Sequence, residues 1–331
     1  MEYKTETVPA GLTTGGGSPV DQSADQGAGQ LLRCWGSLFR RIPNLRGKGK
    51  LLLEWPSLRV RKWPPEVTIS AIDRSRFFHC DLNLWIYRQL YFWGYLELDV
   101  EWMCNQLLLP GDIFVDVGAC FGYYAVTCAS RVGQTGRVYA IEPQAEMFTK
   151  LVENVARNAL SNVEAECLAI SNRRETIELC RLADCGPDNT SISSQGHPVS
   201  EVLTVPASTL DEYVEQKRIG RVTLVKADVE GSEMRVVEGA VRLLSRPDPP
   251  MWIFEINEKT AKAAGFHPRD FLFLLAAKGY EFYRVVWGRV IRITDRIVPC
   301  SLDEIDYSQW QNLLCVVPAV HHDRLLRIGV D

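Results

Sequence analysis

The sequence lacks long apolar runs, paired cysteines and a large excess of either charge. No apolar run approaches the roughly 18 to 20 residues that a membrane-spanning helix requires, and the N-terminus lacks the charged-then-apolar order of a signal peptide. The ten cysteines include no C-x-x-C pair, so neither a zinc site nor a disulfide framework is indicated. Lys and Arg total 37 against 41 Asp and Glu, and a net charge of -4 makes a nucleic-acid partner unlikely. We therefore expect a cytoplasmic protein with reduced thiols and no transmembrane segment.

What is present is a chain of 331 residues with 46% apolar content, enough for one main domain with additions. Residues 1–29 are rich in small and polar residues and predict a disordered tail. Residues 31–65 carry nine basic residues and one acid, which fits a solvated lead-in or an interfacial helix with weak peripheral membrane contact. The predicted divisions are a tail at 1–29, a basic lead-in and aromatic N-terminal cap at 30–102, the main domain at 103–318 and a C-terminal tail at 319–331.

After Pro110, short buried strands alternate with amphipathic helices. Strands are predicted for GDIFVDV, GRVYAIE, VEAECLAI, RVTLVKADV and MWIFEIN, with GYEFYRVV and QNLLCVVP as closing strands. The residues that mark the buried faces of two helices are Met147, Leu151, Val155 and Ala159, and then, after Ser232 as N-cap, Met234, Val237, Val241 and Leu244. The alternation predicts an α/β fold with a doubly wound, mostly parallel sheet. Such sheets bind ligands at the carboxyl ends of their strands.

The first of these strands ends in an acid and a glycine loop, FVDVGACFGYY. A dinucleotide fingerprint would need glycines at 118, 120 and 123, but the chain has Cys120 and Tyr123. Asp116 would repel a pyrophosphate, whereas it suits a ligand with a positive centre, such as S-adenosylmethionine. Glu142 ends the next strand, 26 residues later, where a carboxylate can accept hydrogen bonds from both ribose hydroxyls. The two acids together predict an S-adenosylmethionine site.

Successive blocks of the sequence resemble one known family. VDVGACFGYYAVTCAS, VEAECLAISN, VTLVKADVEGSEMRVVEGA and MWIFEI are similar to blocks of the FkbM-type S-adenosylmethionine-dependent methyltransferases, from about residue 94 to 317. DVEGSE with the following EGA is the most distinctive part. The resemblance implies a Rossmann-like class I methyltransferase domain that methylates oxygen, commonly a sugar or natural-product hydroxyl and occasionally a carboxylate.

Family roles at matching positions imply the cofactor site. The residues assigned to the cofactor are Asp116, Gly118 and Gly122 for the methionine part, Glu142 for the ribose and Ala169 to Asn172, with Ala169 and Ile170 foremost, for the adenine. Ala119 and Cys120 are assigned to the cofactor as members of the glycine loop. Cys120 departs from the family, which usually has Asn there. The contact that an Asn side chain makes is therefore not expected in this chain.

The candidates for catalysis lie in KADVEGSE. A hydroxyl acceptor needs a base to remove its proton, and we expect Asp228, at the strand tip, and Glu230, in the loop, to serve the acceptor. Glu233 fits a structural role at the start of the following helix. Lys226 either pairs with an acid or takes part in catalysis.

A divalent metal is a further option at this end of the sheet. Glu255 and Asn257 end the neighbouring strand, and with Asp228 they offer oxygen ligands for Mg²⁺ or Ca²⁺. The parallel with catechol-type methyltransferases is one of fold only.

The acceptor is expected to be a small molecule, such as a sugar or secondary metabolite. Its pocket should involve the segment 85–102, whose rings either stack on the acceptor or only fill the core, namely Trp85, Tyr87, Tyr91, Trp93 and Tyr95. His197 is either a base in a loop or a solvated side chain. The alternatives are a cofactor-binding assembly protein without catalysis and a nucleic-acid methyltransferase, and the acids at 228 to 233 favour the enzyme.

Overall fold

The computed structural model describes residues 67–70, 76–183, 190–194, 196–286 and 297–330. The predicted tail at 1–29 and the basic segment at 31–65 lie outside the described residues. No helix in the described part is long and apolar enough to cross a membrane.

The strands, in chain order, are β1 (Val67–Ser70), β2 (Phe77–Cys80), β3 (Ile113–Val117), β4 (Arg137–Ile141), β5 (Val163–Glu166), β6 (Ala169–Ile170), β7 (Glu175–Leu182), β8 (Thr190–Ser191), β9 (Val199–Ser208), β10 (Leu224–Ala227), β11 (Met251–Ile256), β12 (Glu281–Val285), β13 (Ile297–Cys300) and β14 (Gln311–Val316). The helices are α1 (Trp85–Trp93), α2 (Leu98–Leu107), α3 (Tyr123–Val132), α4 (Ala145–Arg157), α5 (Leu210–Gln216), α6 (Glu233–Glu238), α7 (Val241–Leu244), α8 (Glu258–Ala263), α9 (Pro268–Ala276) and α10 (Pro318–Arg327).

The main sheet has the order β13-β12-β14-β11-β10-β3-β4-β5 within the described residues. The five strands from β11 to β5 are mutually parallel, and β14 inserts antiparallel between β11 and β12. Strand order runs from β3 outward to β5 and then resumes on the other side with β10, so the switch point lies between β3 and β10. This arrangement confirms the doubly wound, mostly parallel sheet and the Rossmann-like class, and it places a cleft at the carboxyl ends of β3 and β10.

The sheet is covered on both faces, and the side chains of β3 alternate between them. Phe114 packs into one buried cluster with α2 and α3. Val115 and Val117 pack into the second cluster with α5 and α6. Asp116 shares the parity of Phe114 and therefore points toward the α2 and α3 side. An acid inside a buried strand thus lies under a helical layer.

A second sheet of order β6-β9-β7-β8 was not predicted. The segment VEAECLAI, predicted as one strand, is divided between the two sheets, since β5 joins the main sheet and β6 joins β9. The single-strand prediction is therefore wrong. Strands β7 and β9 form a long antiparallel pair.

Two residues of the predicted helix faces are misplaced. Ala159 lies beyond the end of α4, exposed, in the left-handed region at φ 51°. Val241 is 55% exposed, because the predicted helix is broken after Glu238 and resumes as α7 in a new direction. At Gly239 an added Cβ would lie 2.2 Å from the carbonyl oxygen of Ser171. This close approach explains why a glycine occupies the position.

The aromatic segment forms α1 and the turn before α2. Tyr87, Tyr91 and Tyr95 are buried in the core, whereas Trp85 is 48% exposed. The structure thus gives most of these rings a packing role.

The residues after 318 form a packed helix rather than an extended tail. Arg324 in α10 donates to both carboxylate oxygens of Asp112 at 2.7 and 2.9 Å, which ties the helix to the turn before β3. The domain boundaries themselves remain a prediction.

A candidate cofactor cleft at the switch point

The loop after β3 is held against the tip of β4 by its own backbone. The amides of Gly118 and Ala119 both donate to the carbonyl of Ile141, at 2.9 and 3.0 Å. Gly118 has φ +80°, and a Cβ there would lie 1.9 Å from the carbonyl oxygen of Asp228. Gly122 is the N-cap of α3 and has φ +85°, where a Cβ would lie 2.4 Å from the side chain of Leu151. The close approach to Asp228 favours glycine at 118, and the left-handed backbone favours it at both positions.

Of the two acids predicted to bind the cofactor, Glu142 is the one that lines the cleft. Its Oε2 accepts from the amide of Cys120 and its Oε1 from the amide of Gln144, each at 2.8 Å. The residue is 6% exposed, and burial raises the pKa of its carboxyl to about 7, although the two amide donors oppose the shift. Each carboxylate oxygen has two lone pairs, so each of the two oxygens can accept a further hydrogen bond from a ligand hydroxyl.

Cys120 lies in the loop in the left-handed region, at φ 50°, and lines the cleft. Asn and Asp tolerate this region better than other residues with a side chain. The conformation explains why an Asn suits this position and why Cys120 carries some backbone strain.

The cleft is a cavity of about 870 Å³ including its open mouth. The residues that line it come from the main-sheet tips and loops (Val117, Gly118, Cys120, Ile141, Glu142, Pro143, Asp228, Val229, Glu230, Ser232), from the crossing into the second sheet (Leu168, Ala169, Ile170), and from other elements (Ile86, Ile177, Leu179, Thr190, Ile192). Ala169 and Ile170 lie in the wall, and their contact with adenine remains a prediction.

Sequence reasoning missed the contribution of the second sheet. Ile177 and Leu179 alternate along β7 with Thr176 and Glu178, and this period-two pattern could have predicted a strand with one apolar face. The sequence contains no comparable sign that this face closes the cleft.

Asp116 lies behind the wall of the cleft rather than in it. The residue is 0% exposed, and neither carboxylate oxygen has a hydrogen-bond partner of good geometry in the described part. Burial raises its pKa to about 6, while Lys226, its neighbour in register on β10, opposes the shift. Ala119 and Gly122 are also outside the lining. Their contact with a cofactor remains a prediction.

Lys226 pairs with an acid, one of the two roles predicted for it. Its Nζ lies 2.7 Å from Oδ2 of Asp228 and 4.8 Å from the centre of the Tyr124 ring. Burial lowers the pKa of Lys226, but the attraction of Asp228, Asp116 and Glu97 outweighs it and raises the pKa. Lys226 is therefore a permanent buried cation below the strand tips.

The DVEGSE loop is shaped by a tight turn and by Glu233. Glu230 and Gly231 both have positive φ, and a Cβ at 231 would lie 2.6 Å from the carbonyl oxygen of Thr260. Oε1 of Glu233 accepts from the amides of Val229 at 3.2 Å and of Gly231 at 3.3 Å. This is the structural role predicted for Glu233. Ser232 stands at the predicted N-cap position, but its side chain makes no capping bond.

Three acids converge where β10 and β11 end. Ligand oxygens of Asp228, Glu230 and Glu255 lie within 4.8 Å of one another. Burial, followed by the nearby negative charges, raises the pKa of Glu255 well above its usual value. Asn257, predicted with them, instead caps α8, where its Oδ1 accepts from the amides at 259 and 260.

His197 lies outside the cleft lining. Its Nε2 is 3.0 Å from Nζ of Lys259 at the start of α8.

Known proteins share the core of this chain. Residues 116–282, just over half of the chain, match the methyltransferase FkbM domain. The hexuronic acid methyltransferase AglP of Haloferax volcanii is 28% identical over 189 residues, which cover 56% of this chain and 71% of that protein. Methyltransferase 1 of Beauveria bassiana is 23% identical over 171 residues, or 43% of this chain and 68% of that protein.

Solved structures are also similar to this chain, at low sequence identity and low TM-score. The crystal structure of methyltransferase FkbM from Methylobacillus flagellatus is 15% identical, with a TM-score of 0.39, over 62% of this chain and 43% of that chain. This chain therefore spans less than half of that protein. The domain match shows that this chain is an S-adenosylmethionine-dependent methyltransferase of the FkbM family.

Proposed function

We propose that this enzyme transfers the methyl group of S-adenosylmethionine to a hydroxyl oxygen of a small, polyhydroxylated acceptor such as a sugar. The observation that carries the proposal is the pair of carboxylates in one cleft. Glu142 marks the end of the cleft beside β4, and Asp228 marks the end beside β10. One acid suits the ribose of the cofactor and the other suits the acceptor.

The lining of the cleft fits an adenosyl ligand in its chemistry. It combines a mostly apolar wall with a few carboxylates, as is typical of small-molecule sites. In this proposal Glu142 accepts the ribose hydroxyls, and the apolar wall of Leu168, Ala169 and Ile170 flanks the adenine, with Ile177 and Leu179 opposite. The methionine part extends over Gly118 toward Asp228.

The cofactor supplies an activated methyl group, so the protein has to orient an acceptor oxygen and remove its proton. Orientation can supply on the order of 7 to 11 kcal/mol, and a general base about 10² to 10⁴ in rate. Asp228 is placed for the second task, because Lys226 fixes one of its oxygens from the core side while the residue lines the cleft. Glu230, beside it, is proposed to contact the acceptor.

The relative from Haloferax volcanii is named for a hexuronic acid, whose carboxylate and hydroxyls are both possible acceptors. When no cation is bound, the acids at the end of this cleft repel an anionic group, which favours a hydroxyl acceptor. A divalent cation is compatible with this reaction but is not required by it, since a carboxylate base suffices for a hydroxyl.

Cofactor binding can be tested by calorimetric titration of S-adenosylhomocysteine into the full chain. We expect Glu142→Gln to weaken binding about ten- to a hundredfold, because hydrogen bonds to a charged acceptor contribute about 1.5 to 3 kcal/mol. The matched control is Glu146→Gln, an acid on α4 outside the cleft that pairs with Lys150 at 3.3 Å. Equal affinity of the two variants would contradict the assignment of Glu142.

The acceptor class can then be tested by turnover. A panel of neutral sugars and the corresponding uronic acids is incubated with the enzyme and S-adenosylmethionine, and the methylated products are identified by mass spectrometry. The proposal expects methyl ethers on neutral sugars. Methyl esters formed only on uronic acids would contradict it.

A further inference from the structure

We propose that Asp228, Glu230 and Glu255 form a binding site for one hard divalent cation, Mg²⁺, Mn²⁺ or Ca²⁺, at the acceptor end of the cleft. The site differs from the sequence-based set, because Glu230 replaces Asn257. Its use in holding acceptor oxygens rests on the proposed function, whereas the binding of the cation does not.

Strand register brings the first two acids together. Ala227 and Phe254 are partners in the parallel pair of β10 and β11, so the next positions along the two strands, Asp228 and Glu255, stand side by side. The turn at Glu230, with φ 49°, folds the loop back toward them. The hydroxyl of Ser191 donates to the carbonyl of Glu230 at 2.7 Å and fixes that turn. Three carboxylates thus converge from two strand tips and one constrained loop.

The second observation is the state of Glu255. It is 8% exposed, and within the described residues neither a hydrogen bond nor an ion pair reaches its carboxylate. Two other acids nearby, the half-buried Glu97 and the buried Glu233, are satisfied. Glu97 accepts from Asn312 at 2.9 Å and from Tyr124 at 2.8 Å, and Glu233 accepts from two loop amides. A buried carboxylate without such a partner is costly, and a cation between the three acids would supply the partner.

The neighbouring lysines are placed for other contacts. Lys226 approaches Asp228 at Oδ2 from the core side and also lies in register with Asp116. Lys259 lies beside His197, at 3.0 Å. Of these two lysines only Lys226 reaches the cluster, at Asp228, and the carboxylate of Glu255 has no cation beside it among the described residues.

The donor set specifies the kind of cation. The cluster offers carboxylate oxygens and no His or Cys, which favours Mg²⁺, Mn²⁺ or Ca²⁺ over zinc or copper. Three carboxylates leave coordination positions for water or for two oxygens of an acceptor. Neighbouring sugar hydroxyls have the spacing to fill such positions.

The test uses the full chain, stripped with EDTA and desalted. Mn²⁺ is added and its free concentration is followed by electron paramagnetic resonance, and Mg²⁺ and Ca²⁺ are titrated by calorimetry, with and without S-adenosylhomocysteine. We expect a single saturable site. Glu255→Gln should weaken it at least about tenfold, since even outer partners of a metal site contribute about 10- to 100-fold in affinity.

The matched control is Glu258→Gln, the same substitution three residues further along. Its carboxylate is already paired with Lys262 at 2.8 Å and with His267 at 3.0 Å, so cation affinity should be unchanged. Glu230→Gln is the second ligand variant, because Glu230 is only half-buried and its replacement should leave folding intact.

Saturable binding that is weakened by both ligand variants and not by the control supports the site. If none of the three cations binds at millimolar concentration while S-adenosylhomocysteine binds, the site is refuted and the proposed function stands. Cation binding that both ligand variants leave intact also refutes it. If the full chain binds a cation but does not bind S-adenosylhomocysteine, the proposed function is refuted and the cation site stands.

Discussion

The acids at the two ends of the cleft differ in whether hydrogen-bond donors satisfy them. At the β4 end, Glu142 is buried but accepts two backbone amides, so its geometry is fixed before any ligand arrives. At the β10 end, Asp228, Glu230 and Glu255 lie close together and Glu255 lacks a partner within the described residues. In our proposal the first end is a preorganised acceptor of hydroxyl hydrogen bonds, whereas the second end carries three neighbouring carboxylates. A site for a common cofactor can be rigid and self-satisfied, whereas a site for the acceptor depends on what binds to it.

Gly118 joins the two ends, and its replacement should have the largest effect. In Gly118→Ala the new Cβ would meet the carbonyl oxygen of Asp228 at 1.9 Å, in a backbone that also has φ +80°. We expect a loss of more than about 4 kcal/mol in the free energy of unfolding, and no cofactor binding, because both ends must separate. Chemical denaturation and calorimetry measure the two effects.

Gly279→Ala is the control, since that glycine has a similar φ of +85° but open space around it. The free energy of unfolding of this variant should fall only by the cost of backbone strain, about 1 to 2 kcal/mol. Equal losses in the two variants would show that the contact with Asp228 is unimportant.

Asp228→Asn should impair catalysis while leaving cofactor binding intact. Removing the base is expected to lower kcat about 10² to 10⁴-fold while the affinity for S-adenosylhomocysteine changes little. Single-turnover kinetics with a neutral sugar acceptor measure the first effect and calorimetry the second. A kcat close to that of the wild type would mean that the acceptor needs no base, as a carboxylate acceptor would not.

Because burial raises the pKa of Glu142, we expect the stability of the ligand-free protein to depend on pH. The pKa of Glu142 rises from 4.5 to about 7, so between these values the folded state holds a proton that the unfolded chain has released. The free energy of unfolding therefore falls as pH increases through this window, by on the order of 3 kcal/mol for a fully buried glutamate. Denaturation at intervals across the window should show a flatter profile for Glu142→Gln. An unchanged profile would mean that Glu142 is ionised throughout.

The affinity for the cofactor should depend on pH in the opposite direction from the stability of the ligand-free protein. Ribose hydroxyls donate to the ionised carboxylate, so affinity should weaken as pH falls below about 7. The same dependence should be absent in Glu142→Gln.

The smallest effect is expected at Cys120. Asn tolerates the left-handed φ of 50° better than Cys, so Cys120→Asn should stabilise the protein by about 0.5 to 1 kcal/mol. Thermal unfolding measures the change. A destabilised variant would show that the thiol fits its half-buried position better than an amide.

The site was predictable where its geometry is local. Gly118 and Glu142 follow strands whose apolar pattern marks their ends, so their place at the cleft could be read from spacing. Asp116 shows the limit of such reading, because the parity of the strand turns it under α3 and away from the cleft lining. The cleft wall of Ile177 and Leu179 could not be read in this way, since nothing local to β7 indicates what its apolar face covers.

The sequence by itself determined which segments form buried strands, where they end, and that glycines and acids follow those ends. These features depend on neighbours in the chain, through side-chain periodicity and the backbone freedom of glycine. Only the tertiary structure decided that the second sheet lines the cleft, that Asn257 caps a helix, and that Glu255 lies beside Asp228 with no partner in the described ranges. These outcomes depend on register between strands and on packing across elements, which short-range patterns do not encode.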